Sequence, residues 1–177
     1  MPNKPVAVIT GGASGIGEAT ARRFAKDGYA IAIVDVNREA GEAVAKSIAA
    51  SGGAARFYAG DVSDAKAMDR LAAAVEAEMG PAEALVTAAG LIPNTESIMD
   101  MDLDAHDRMW RVNYNGTIYT CRSFGRQMIA AKRGAIVTLG SINSRLPLPL
   151  PAYNPGKAAI ERLTQLLAVE LGRLGIR

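Results

Sequence analysis

The run Thr10-Gly11-Gly12-Ala13-Ser14-Gly15-Ile16-Gly17 follows an apolar stretch and precedes a helix-type stretch. Glycine lets backbone turn sharply and approach a bulky anion closely. The helix start beyond it offers unpaired N–H groups and the positive end of the helix dipole. Gly11, Gly15 and Gly17 give the spacing G-x-x-x-G-x-G, with Ser14 and Ile16 between them. No Gly-Lys-Ser/Thr ends the run, so it is not a nucleoside-triphosphate loop. A glycine-rich turn alone would mean little, but a strand before and a helix after it meet the requirement for a dinucleotide diphosphate cradle. Asp35 closes the next predicted strand, where an acid can accept hydrogen bonds from ribose hydroxyls and repel a 2′-phosphate. That favours NAD over NADP, although Arg38 could instead hold a 2′-phosphate. Asp61 and Val62, after the third strand, could meet the adenine. Asp61, Ser63 and Asp64 equally suit the cap of the following helix.

Tyr153 and Lys157 stand four residues apart at a predicted helix start, so their side chains share one face. A phenol has a pKa of ~10 and is a poor base at neutral pH; lowering it to ~7 takes about 4 kcal/mol. An ammonium about 4 Å away supplies that order of energy at an effective dielectric of ~20. Beside an oxidised nicotinamide, the pair is an adequate acid–base device for an alcohol proton. The same spacing on its own is equally that of a solvated helix face. Ser141 follows a predicted strand and could hold a substrate oxygen beside Tyr153, with Ser144 as the alternative; a turn residue is the plainer reading of either.

The elements that would position these groups alternate. Strands are predicted at Pro5–Thr10, Tyr29–Val36, Ala54–Gly60, Glu83–Ala88 and Gly134–Leu139. Helices are predicted at Glu18–Asp27, Glu39–Ala50 and Asp64–Met79, then as one long helix at Ala105–Ala131, and last at Tyr153–Leu174. Residues 91–101 read as a loop. Strand–helix alternation implies right-handed crossovers and a parallel sheet. The expected fold is α/β: a doubly wound, Rossmann-like parallel sheet with five strands, in one dinucleotide-binding domain over residues 1–177. A sixth strand would be expected to begin where the chain ends, so either the sheet is short or the domain is incomplete at its C-terminus.

At 177 residues, 49% of them apolar and 21% charged, the chain can bury a sizeable core. Twenty Lys and Arg against 18 Asp and Glu leave a net charge of +2, with no basic run longer than a pair, which argues against a nucleic-acid partner. No apolar stretch reaches the length of a membrane span. The run Val6–Ile9 is too short for a secretion signal, and a cytoplasmic protein is expected. One cysteine, Cys121, and one histidine, His106, leave no metal-binding set. His106, among Asp102, Asp104 and Asp107, reads as a surface or cap residue. Met99, Met101, Met109 and Met128 read as packing residues.

In order along the chain, Thr10-Gly-x-x-x-Gly-x-Gly17, Asp35, Asp61-Val62, Asn113 in Val-Asn-x-x-Gly, Ser141 and Tyr153-x-x-x-Lys157 resemble the short-chain dehydrogenase/reductase family. The resemblance covers essentially the whole chain. It implies an oxidoreductase that passes hydride between NAD(H) and a small alcohol or carbonyl substrate. It implies a tetrad of Asn113, Ser141, Tyr153 and Lys157. In it Tyr153 is the acid/base, Ser141 orients substrate, Lys157 lowers the tyrosine pKa and binds nicotinamide ribose, and Asn113 holds a relay water. It brings Ala89 and Gly90 to the cofactor. Two stretches depart from the family pattern: Thr87-Ala88-Ala89-Gly90 replaces Asn-Asn-Ala-Gly, and Pro155-Gly156 stands inside the tyrosine motif. The family chain also continues past residue 177. Homo-oligomerisation is expected through Ile160, Leu163, Leu166, Leu167, Leu171 and Leu174 on the last helix. Residues 91–99 and 142–152, including the Leu146–Pro151 run, are expected to set substrate choice. The alternatives are a non-catalytic NAD(P)-binding protein, an inactive fragment of such an enzyme, or an epimerase or dehydratase of the extended branch.

Overall fold

The computed structural model describes residues 4–92, 97–146 and 148–177. Strand β1 (Val6–Thr10) is buried at every position, as a central strand covered on both faces must be. Around it lie β2 (Ala30–Asp35), β3 (Ala54–Ala59), β4 (Ala82–Thr87) and β5 (Ala135–Thr138) in the order β3-β2-β1-β4-β5. All pairings are parallel. The strand order reverses between β1 and β4, and in such sheets ligands bind outside the carboxyl ends of the strands at that point. Beyond β5, Ile176 bridges Gly134, and Arg177 exchanges hydrogen bonds with Gly134 and Ile136. The last residues thus lie alongside β5 at the position expected of a next strand.

The helices are α1 (Gly15–Lys26), α2 (Arg38–Ala50), α3 (Ala65–Met79), α4 (Leu103–Trp110), α5 (Gly116–Ala131) and α6 (Tyr153–Gly172). Their starts follow from side chains that accept orphan N–H groups. Asn37 accepts from Ala40, Asp64 from Lys66 and Ala67, and Asp102 from Asp104 and Ala105. The Asp102 cap starts α4 two residues before the expected Ala105. The expected single helix to Ala131 is interrupted. Arg111–Asn115 forms a π-helical turn between α4 and α5. Such a turn inserts an extra residue and re-aims the side chains on it.

The two faces of the sheet bury separate apolar clusters. Val6, Val8, Val34 and Leu85 meet α3 and α5 through Met68, Val75, Phe124 and Met128. Ile9, Ile31, Ile33 and Val86 meet α1 and α2 through Ala21, Val44 and Ile48. Gln127 ties the first layer together, since its Oε1 accepts from Ala82 N–H and its Nε2 donates to the Ala72 carbonyl. Phe124 is fully buried in that layer. Phe124→Ala is expected to cost about 3–5 kcal/mol, the range for emptying a buried aromatic site. Urea unfolding of the variant would read this as a lower midpoint at an unchanged slope.

Several expectations are corrected. Ile160 and Leu171 are buried in this chain's own core, and Leu167 packs against that core, so they are not free for a partner; Leu166 and Leu174 are exposed. Met109 and Met128 are packing residues as expected, but Met99 is 87% exposed. Cys121 is buried, and desolvation pushes its thiol up to about 12. No helix among the described residues is long and apolar enough to cross a membrane, and no group of metal-ligating side chains is found among them. Residues 93–96 and Pro147, parts of the segments expected to set substrate choice, lie outside the described residues.

Candidate active site

A cleft of about 730 Å³ opens at the carboxyl ends of the strands. The glycine run forms one wall. Gly11 has φ +67° and donates its N–H to the Val34 carbonyl at 2.8 Å. A Cβ on Gly11 would stand 2.6 Å from the Ala89 nitrogen, and a Cβ on Gly17 would stand 2.0 Å from the Gly11 carbonyl oxygen. These contacts are with backbone, so only glycine fits at either position. Ser14, Gly15, Ile16 and Gly17 line the cleft, and Ser14 makes no side-chain cap, so the first N–H groups of α1 lack that partner. An open, positively polarised cradle of this shape suits a diphosphate.

Asp35 lines the cleft at the end of β2. Its Oδ2 accepts from Ala13 N–H at 3.1 Å and its Oδ1 from Asn37 N–H at 3.0 Å, which fixes the carboxylate beside the glycine wall. Arg38, the alternative reading for a 2′-phosphate, turns elsewhere: its guanidinium pairs with Glu42 at 2.9 Å and lies 5.9 Å from the Phe57 ring centroid. It does not line the cleft. Asp61, Val62 and Ser63 do, and the side chain that caps α3 is that of Asp64. Asp61 accepts from Ser63 N–H at 2.8 Å. Val62 also packs against the start of α5, because a Cβ on Gly116 would meet its Cγ2 at 2.7 Å.

Ala89 and Gly90 continue the wall after β4. With alanine where the family pattern has asparagine, the local hydrogen bonds come from two other side chains. Thr10 Oγ1 accepts from Ala89 N–H at 3.4 Å. Asn113 grips the next residue twice: its Oδ1 accepts from Leu91 N–H at 2.7 Å, and its Nδ2 donates to the Leu91 carbonyl at 3.0 Å. Asn113 is buried and does not itself line the cleft. The π-turn lets a helix residue reach sideways to a strand end. A regular 3.6-residue periodicity gives no hint of it.

Tyr153 and Lys157 close the far end. Tyr153 is the first residue of α6, and Pro155 falls in the first turn, where its missing N–H has no intrahelical partner to lose. Lys157 is only 8% exposed. Its Nζ donates to the Leu139 carbonyl at 2.7 Å and lies 5.6 Å from the Tyr153 ring centroid. Desolvation pulls its pKa below the usual lysine value. Ser141 sits beside the lining residue Gly140 and starts a 3₁₀ turn, Ile142–Ser144; its Oγ accepts from Asn143 N–H at 3.1 Å. Ser144 is turned away, donating to Glu161 at 3.1 Å. The structure thus gathers the expected cofactor-side residues and the Tyr–Lys pair at one cleft, with Ser141 and Asn113 at its margin. Arg108, Arg111 and Val112 also line it. Arg108 lies on α4 and the other two on the π-turn, and nothing local in the sequence says which face of either turns inward.

Comparison with known proteins agrees with this architecture. The family model described as short chain dehydrogenase matches residues 5–177. A 2,3-dihydro-2,3-dihydroxybenzoate dehydrogenase of Bacillus subtilis (strain 168) is 39% identical over 175 residues, 97% of this chain and 66% of that protein. The chain therefore spans slightly under two thirds of that relative. The structure of an NAD+-bound xylitol dehydrogenase superposes with a TM-score of 0.95 at 32% identity, covering 100% of this chain and 69% of that one. A metagenomic short-chain oxidoreductase in complex with NADP superposes at 0.93 and 32% identity, covering 98% and 79%.

Proposed function

The chain belongs to the short-chain dehydrogenase family, and we propose that it forms the dinucleotide-binding domain, over residues 1–177, of an oxidoreductase that interconverts an alcohol and a carbonyl with NAD(H). The observation that carries this reading is the convergence on one cleft of a glycine cradle, closed to any side chain at Gly11 and Gly17, and a Tyr–Lys pair. Gly11, Ser14, Gly15, Ile16 and Gly17 would hold the diphosphate, Asp35 the adenosine ribose, and Asp61 and Val62 the adenine. Ala89, Gly90, Tyr153 and Lys157 would line the nicotinamide half. When bound, the nicotinamide supplies the hydride acceptor or donor.

In the oxidative direction Tyr153, as phenolate, takes the hydroxyl proton while the carbinol hydrogen leaves as hydride and the C–O bond becomes a carbonyl. Reduction returns both. Lys157 stabilises the phenolate by its charge. Its burial makes that charge costly to carry, so an anion at Tyr153 relieves part of the cost. Ser141 orients the substrate oxygen. Asn113 fixes Leu91 at the edge of the site through both atoms of its side-chain amide, and on this reading it holds the relay water. A panel of polyols and cyclic and acyclic secondary alcohols, followed by the absorbance of reduced nicotinamide, tests the reading. NAD-dependent turnover is expected; tight NADH binding with no turnover across the panel would favour a non-catalytic binder.

The fixed carboxylate of Asp35 underlies the preference for NAD, since a 2′-phosphate would meet a like charge. Asp35→Asn keeps the shape and removes the charge. The ratio of NADPH to NADH affinity is expected to rise about tenfold, equivalent to about 1.4 kcal/mol; paired fluorescence titrations read it directly. On the same reading the protein is cytoplasmic and homo-oligomeric, with exposed Leu166 and Val169 on α6 available to a second copy. A light-scattering mass of one chain would contradict the latter.

A further inference from the structure

Three polar side chains on α6, Asn154, Lys157 and Glu161, follow one another at steps of three and four and so share a face of the helix. Each grips the connection that leads from β5 to α6. Lys157 Nζ donates to the Leu139 carbonyl at 2.7 Å. Asn154 Nδ2 donates to the carbonyls of Leu146 at 3.1 Å and Leu148 at 2.9 Å. Glu161 takes the middle: Oε2 accepts from the Ser144 hydroxyl at 3.1 Å, and Oε1 accepts from the Arg145 guanidinium at 2.6 Å. Ser141, Ser144 and Arg145 belong to one tight turn, in which Ser144 N–H donates to the Ser141 carbonyl and Arg145 N–H to that of Ile142.

We propose that Glu161 is a positioning residue, which sets the placement of the Ser141 turn against the helix that carries Tyr153 and Lys157. Glu161 does not line the cleft, so it can act only through the turn. The turn's own hydrogen bonds fix its shape but not its orientation toward α6. Orientation comes from outside the turn. The Lys157 and Asn154 bonds hold only the residues before and after it. Both carboxylate oxygens of Glu161 are used, one on a hydroxyl and one on a guanidinium, so they restrain two consecutive residues of the turn. Arg145 and Ser144 hold the carboxyl below the usual glutamate range, in keeping with an ionised strap. The ion pair is half-open to water and would contribute little by itself. Its effect is the register of the serine hydroxyl with the phenol about two helical turns away.

The inference rests on the catalytic reading above for its consequence, but not for its geometry, and the test keeps the two apart. Amide exchange by mass spectrometry is compared for the wild type, Glu161→Gln, Glu161→Asp and Arg145→Ala. Exchange of residues 142–146 is expected to quicken about threefold to tenfold in Glu161→Gln and in Arg145→Ala, with partial recovery in Glu161→Asp. The strands β1–β4 should exchange as in the wild type, and NADH affinity should stay within about twofold. With xylitol as the probe alcohol, kcat should fall while KM for NAD holds. Unchanged exchange at 142–146, or faster exchange throughout the fold, would overturn the strap. Faster local exchange in a protein that oxidises no alcohol would leave the strap standing and remove the catalytic reading.

Discussion

Tyr153→Phe is expected to lower turnover by about 10²–10⁴-fold, the usual loss when a positioned acid–base group is removed. The substitution deletes one hydroxyl and keeps the ring, so packing at the start of α6 is retained. Lys157 would still be held by the Leu139 carbonyl 2.7 Å away, and the glycine wall is formed by other elements. NADH affinity should therefore remain within about threefold of the wild type, and the unfolding midpoint should barely move. That pattern, chemistry lost with binding and folding kept, separates a proton-transfer role from a structural one. Steady-state turnover and a fluorescence titration on the same preparation measure both halves. Turnover near the wild-type rate would remove Tyr153 from the mechanism.

Gly17→Ala is the counterpart at the other end of the cleft, and its effect should fall on binding. The added methyl would start 2.0 Å from the Gly11 carbonyl oxygen, with the Gly11 carbonyl carbon at 2.6 Å. Neither atom is the end of a flexible side chain. Either the turn at Gly11 or the first turn of α1 must shift. Gly11 cannot shift freely, because it packs closely on the Ala88–Ala89 backbone: a Cβ on it would stand 2.6 Å from the Ala89 nitrogen. The cradle and the segment after β4 would be displaced together. A loss of about 1–3 kcal/mol in stability is expected from overpacking of this kind. NADH affinity should drop at least tenfold, because backbone N–H groups must point at the phosphates to bind them. Gly15→Ala makes an instructive comparison. No atom lies within 4 Å of its Cβ position, so its cost comes only from its φ of +53°. Calorimetric titration should rank Gly17→Ala well below Gly15→Ala in affinity.

The parts of the fold that were legible in the sequence share a cause. Central parallel strands are buried on both faces and read as unbroken apolar runs, as Val6–Ile9 and Ile31–Val34 do. Helix starts with an Asp or Asn cap could be placed to a residue or two. The glycine cradle was legible because positive φ and backbone contact admit only one residue type. The π-turn was not, because an extra residue in a helix leaves the apolar pattern nearly intact on either side. The residues around Asn113 therefore give it only the pattern of a mid-helix polar residue, and its place at the site follows from the family resemblance alone. Its pair of hydrogen bonds with Leu91, one accepted and one donated, joins positions 22 apart in sequence. The same limit applies to the apolar face of α6. Ile160 and Leu171 looked like a partner surface, yet they serve this chain's own core, since hydropathy does not say what covers a face. Arg108 on α4 and Arg111 on the π-turn line the cleft through the placement of those two elements, which no local pattern specifies.

The central claim is that the phenol of Tyr153 stands beside the nicotinamide of a dinucleotide held by the Gly11–Gly17 wall. A crystal structure of the protein with NADH tests it most directly. The account predicts the diphosphate over the start of α1 and the nicotinamide ring facing Tyr153 Oη. A substrate oxygen would then fit within about 3–3.5 Å of that hydroxyl. A dinucleotide bound elsewhere, or one bound in the cleft with its nicotinamide turned away from Tyr153, would contradict it.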